Sequence, residues 1–138
     1  MMDRRHWQDL ARTRLREARL LLRAGATDSP YYLAGCAVEC ALKACIARSF
    51  RRHTWPDRRF VQNIHTHDLQ RLLTLAGLWP QLEADFSEDA SFRDRWYIVR
   101  LWDNDSRYQA WERAQALSMY GAVADARHGV LRWIRRYW

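Results

Sequence analysis

Lysine is almost missing from this chain: among 23 Lys and Arg side chains, Lys43 is the only lysine. Glycine and proline are scarce, 5 and 3 in 138 residues, and the glycines stand apart rather than in a phosphate-cradling loop. No apolar run approaches the roughly 20 residues that span a bilayer. No uninterrupted apolar segment follows the basic residues of MMDRRHWQDL, which excludes a signal or transit peptide of the usual kind. Nowhere do apolar and polar residues alternate between turn signals at strand spacing. No serine sits in a nucleophile elbow, and no paired acidic motif suggests two-metal chemistry. Cys36, Cys40 and Cys45 fall on one rigid predicted helix, where a relaxed disulfide cannot form, and no second Cys or His pair stands at zinc spacing. These absences predict an all-α, cytoplasmic chain with reduced thiols, no metal, no cofactor and no membrane segment, folded as one domain over residues 1–138.

What is present is charge of one sign. The formal net charge is +7 and the sequence pI about 9.9, carried almost wholly by arginine. Such a field favours anionic partners, nucleic acid or acidic protein alike.

The stretch YYLAGCAVECALKACIARS, Tyr31 to Ser49, is apolar or small on nearly every side. A helix of that kind is normally buried all round, so it is expected at the centre with its neighbours laid against it. Between Leu33 and Ala47 it carries two charges, Glu39 and Lys43, four residues apart and on one stripe. Burying them requires that they pair, meet charges from other helices, or line a groove.

Ahead of it, Asp3 to Ala24 reads as an amphipathic helix ended by Gly25, with arginines filling the side opposite Trp7, Leu10, Ala11, Ala18, Leu21 and Leu22. Asp28 or Ser29 is a candidate N-cap for the central helix, and Pro30 a first-turn residue. After it, FRRHTWPDRRFVQNIHT shows no helical period and reads as the longest loop. Its Arg51, Arg52, Arg58 and Arg59 alternate with Phe50, Trp55 and Phe60, a pattern that suits single-stranded nucleic acid through stacking and phosphate neutralisation. Thr66 or Asp68 then caps a short helix that Gly77 ends, and Pro80 opens a further segment. A helix is predicted from Glu88 to Trp102. A last helix is predicted from about Tyr108 to Tyr137, with Ala110, Ala114, Leu117, Gly121, Ala124, His128 and Leu131 on its inner stripe. The architecture expected is an up-and-down bundle of four main helices with one short extra helix.

Three fragments, YYLAGCAVECALKA, HTHDLQRLLTLAG and SRYQAWERAQA, together resemble the HEPN family of small α-helical bundles, over about Arg12 to Trp133. The resemblance implies a dimer formed through long helices, working in a nucleotidyltransferase or toxin-antitoxin type of system. Many members are metal-independent ribonucleases with an R-x(4 to 6)-H motif near the start of the late helix. Here Arg107 opens that helix, but the spacing leads to Glu112, Arg113 and Ala114, and the histidine is missing.

If the fragments pack as the resemblance implies, Glu39, Lys43, His67, Asp68, Arg107 and Glu112 converge. One reading is structural: Glu39 pairs with Lys43 or Arg107, and Asp68 caps its helix. The other is functional: Lys43 and Arg107 hold a phosphate of RNA or a nucleotide while His67 carries a proton. The function expected is a dimeric binding module. The alternative is a metal-independent endoribonuclease in which Arg107 positions the phosphate and His67 or His65 replaces the usual base. His128 reads as a satisfied core or interface histidine.

Overall fold

The computed structural model describes residues 3–49 and 58–138. All regular structure among them is helical, and no strand occurs. The elements in order are α1 (Arg4–Arg23), α2 (Asp28–Arg48), α3 (Arg58–Asn63), α4 (Leu69–Leu75), α5 (Trp79–Glu88), α6 (Ala90–Val99), a 3-10 helix (Asn104–Tyr108), α7 (Arg113–Ala124) and α8 (Val130–Arg135).

Helix α1 begins where the Asp3 carboxylate accepts from the His6 amide at 2.8 Å, and ends before Gly25, whose φ of 94° suits only glycine. Helix α2 is the axis of the molecule. Every residue from 34 to 46 is buried, and α1, α4, α7, α8 and the 3-10 helix all pack on it. Its small residues Ala34, Ala37, Ala41 and Ala44 have no exposed surface, leaving room for neighbours to approach closely. The carboxylate of Asp28, an expected cap of α2, instead accepts from the Trp111 amide at 2.7 Å, while the Trp111 ring stacks on Tyr31 at 3.6 Å. Thr27 holds the N-cap position.

Gly35 has a packing reason. A Cβ there would lie 2.1 Å from Trp102 Nε1, so only glycine lets that indole rest on α2 and donate to the Tyr32 carbonyl at 3.1 Å. The contact presses the segment after α6 against the central helix. The 3-10 helix that follows is closed by a reciprocal cap, with Asp103 Oδ1 accepting from the Ser106 amide and Ser106 Oγ from the Asp103 amide.

Several sequence expectations give way. The predicted last helix from Tyr108 to Tyr137 is broken into the end of the 3-10 helix, α7 and α8. The break between α7 and α8 is a corner in which Asp125 Oδ1 accepts from the amides of Arg127 and His128, at 2.8 and 2.7 Å. Gly129 lies so near that a Cβ would sit 2.4 Å from the Asp125 carbonyl oxygen. Because the rod is cut, the expected inner stripe fails in its first half. Ala110, Ala114, Leu117 and Gly121 are exposed, and Ala116, Met119 and Ala122 face the core instead. The helix predicted from Glu88 to Trp102 is shorter, since Asp89 caps α6 and Trp102 leaves it to reach Gly35. The segment read as one long loop contains α3. Four main helices and a short one is thus not the division that forms.

Candidate functional site

Four side chains of α2 recur at i, i+4, i+7 and i+11: Tyr32, Cys36, Glu39 and Lys43. That spacing lines them along one face of the helix, and three other elements meet them there. From the turn before α4, His67 Nδ1 donates to Glu39 Oε1. From α1, Trp7 places its ring 5.1 Å below the Lys43 ammonium, a cation–π contact. From the 3-10 helix, Asn104 Oδ1 accepts from the Tyr32 hydroxyl at 3.3 Å. Lys43 Nζ stands 3.9 Å from Glu39 Oε1.

The burial within the group is uneven, and that decides what it can touch. The side chains of Glu39 and Lys43 retain 11% and 9% exposure, whereas His67 retains 50%. The imidazole is therefore the solvent-facing end of a pair whose carboxylate end is inside. A buried carboxylate fixes the orientation of the ring bonded to it, as a proton-transferring histidine requires.

Arg107 is exposed and lies 4.7 Å over the Tyr108 ring. Its charge still reaches the α2 face, where it opposes the rise of the Tyr32 and Cys36 pKa values. Burial dominates that rise: the Tyr32 hydroxyl is pushed up to about 12 and the Cys36 thiol to about 11. Cys40 and Cys45 are raised by burial as well, each to about 12. All three thiols are free, buried and held protonated, which suits core packing and not nucleophilic work.

Six residues were expected to converge, and they divide. Glu39 meets both Lys43 and His67, whereas Arg107 makes no ion pair or hydrogen bond with any of the three among the described residues. Asp68 is taken up as the cap of α4, its Oδ1 accepting from the amides of Gln70 and Arg71 at 3.0 and 3.2 Å. Glu112 caps α7, where its amide donates to Gln115 Oε1 at 2.9 Å. It stands at the Asp28 end of α2, next in sequence to Trp111, rather than beside Glu39. The pairing of Glu39 with Arg107 is absent among the described residues, because His67 and Lys43 occupy the carboxylate. Of the basic loop, Arg51, Arg52 and Trp55 lie outside the described residues, as does the side chain of Arg58; Arg59 is exposed on α3.

Sequence reasoning missed Tyr32 and Cys36, although their spacing from Glu39 and Lys43 was visible. It also missed the partner of His128, which is half-buried at the α7–α8 corner. His128 Nδ1 lies 2.8 Å from Asp89 Oδ2, and this bond, with the Phe92 amide, holds the Asp89 carboxyl below its usual range. His128 is thus satisfied by a hydrogen bond to Asp89, across 39 positions of sequence. An open depression beside His67 is lined by Asp68, Asp103 and Asp105 against Arg100, so its own charges do not favour an anion.

No family model matches the chain, and neither a curated protein nor a solved structure does. No helix among the described residues is long and apolar enough to cross a membrane.

Proposed function

We propose that this chain is a HEPN-like helical binding module that acts as a dimer in a nucleotidyltransferase or toxin-antitoxin type of system. Its ligand is a phosphate of RNA or of a nucleotide, received between His67 and Arg107. The observation that carries this reading is the half-exposed His67 imidazole bonded to buried Glu39 on one face of α2. It draws further support from the way the fragments behind the resemblance meet, since α4 and the 3-10 helix both pack on α2. The missing histidine after Arg107 favours binding over cutting.

For the dimer, the support is the exposed side of α7. Ala114, Leu117 and Gly121 bring no charge to it, and Leu117 and Gly121, with Ile98 of α6, line an open groove bordered by Asp94 and the Arg95–Asp125 pair. A second copy seated there would cover Leu117, now 45% exposed. Light scattering at micromolar concentration should give twice the 16.6 kDa chain mass; a monomer counts against the dimer.

A second reading is favoured by the same Glu39–His67 pair. A ring oriented by a carboxylate is equipped as a general base, and Arg107 would then position the scissile phosphate of a metal-independent ribonuclease. Binding itself is tested by the melting temperature with a nucleoside monophosphate at a hundredfold excess over its Kd, which should raise stability by about 2.7 kcal/mol. Arg107→Ala should lose most of that rise. An equal rise in both proteins would remove Arg107 from the site.

A further inference from the structure

Helix α1 carries a second charged surface, separate from the Glu39 cluster. Arg5, Arg12, Arg16, Arg19 and Arg23 are all exposed, and at about 100° per residue they fall within an arc of roughly 60° on one side of the helix. At about 1.5 Å per residue the stripe is roughly 27 Å long. Asp9 alone offsets it, through its 3.1 Å pair with Arg12. Glu17, the other acid of the helix, is turned to Arg14 at 2.7 Å. Arg5, Arg16, Arg19 and Arg23 make no ion pair or side-chain hydrogen bond among the described residues. Near the start of the stripe Arg135 of α8 adds to the patch, its guanidinium sharing the Trp138 ring with that of Arg12, at 5.4 and 4.8 Å.

Folding gains little from this arrangement. Like charges three and four residues apart on a helix repel one another, and the helix dipole favours only the last of the five, Arg23. The stripe is left open to an opposite charge from outside the chain.

The stripe also tells polyanions apart. An anionic membrane wants apolar side chains to insert beside the basic ones. The apolar side of α1, with Ala11, Ala18 and Leu22, is buried, and Leu20 is the one large apolar side chain exposed on the helix. Single-stranded nucleic acid wants aromatic faces for its bases, and Trp7 is half-buried beneath Lys43. A duplex needs neither. Its stiff backbone sets one phosphate per strand about every 3.4 Å of axis, so the stripe spans about eight of them. Guanidinium forks suit those oxygens. We propose that the exposed arginine stripe of α1 docks on the phosphate backbone of a nucleic-acid duplex, without reading its bases.

The test is fluorescence anisotropy of the full chain with a labelled duplex of about 20 base pairs, longer than the stripe, over a series of salt concentrations. For five phosphate contacts, log K against log salt should fall with a slope of about −4.5, the same for unrelated sequences. The triple variant Arg16→Gln, Arg19→Gln, Arg23→Gln should flatten the slope to about −1.8 and weaken low-salt binding by at least about tenfold. Its melting temperature should be equal or higher, since repulsion is relieved. The same triple variant should keep the full rise in melting temperature with a nucleoside monophosphate, which keeps this surface distinct from the cluster. The proposal is overturned if wild type ignores the duplex, or if the triple variant retains its slope and affinity. Tighter binding to a single strand of equal length, to phosphatidylserine vesicles, or to polyglutamate at equal charge overturns it as well.

Discussion

Glu39 and Lys43 are the two charged side chains buried in the described part of the molecule. Withdrawing an ion from water costs several kcal/mol, and removing one partner strands the other. Glu39→Ala is therefore expected to lower stability by about 3 kcal/mol in urea denaturation, whereas Glu39→Met with Lys43→Met should cost clearly less. Equal losses would mean that the two charges do not sustain each other. The thiols supply a pH prediction. Their pKa values are raised above the ordinary 9.0, to about 11 for Cys36 and about 12 for Cys40 and Cys45. The unfolded chain thus loses its thiol protons first as pH rises. Stability from this source is complete below pH 9 and is lost as pH climbs from there toward 12. At pH 8 the folded Cys36 thiolate is about one part in a thousand, so alkylation should be slow until denaturant is added; fast labelling of native protein would contradict the burial. The Glu39–Lys43 pair was legible from four-residue spacing. His67 as a direct partner was not, because no local rule joins residues 28 apart.

Helix ends and corners, one level up, carry the position of Arg107. Trp102 lies against Gly35 and presses the 3-10 helix onto α2. Gly35→Ala should displace the indole at a cost of about 1 to 3 kcal/mol. It should also reduce stabilisation by a nucleotide, since Arg107 moves with that segment. Unchanged melting and near-ultraviolet dichroism in Gly35→Ala would deny the contact. At the other corner, Gly129→Ala drives a methyl into the Asp125 carbonyl, and about 2 kcal/mol or more is expected to be lost. Helix α1 was legible almost to its ends from its apolar period and Gly25, and α2 from its apolar composition and Pro30, although not its cap. The corner was not. Ala124, Asp125, Ala126, Arg127 and His128 are all tolerated within a helix, and the need for glycine at 129 exists only once the backbone has turned back on itself.

Across the described molecule a buried α2 is covered by α1, nearly as long, and by shorter helices, with arginine left outside. That α2 would be central followed from its composition alone, and the described structure places every residue from 34 to 46 inside. The division of the late chain did not follow, and with it went the inner stripe now exposed on α7. That stripe and the His67–Glu39 pair are the two surfaces on which the proposed module rests, one for a second copy and one for a phosphate. The most direct measurement is cleavage of an end-labelled RNA pool by purified protein in EDTA, beside Arg107→Ala and His67→Ala. A binding module leaves the RNA intact in all three lanes. Cutting by wild type that both variants lose would contradict it, and would make the same pair the base of a ribonuclease.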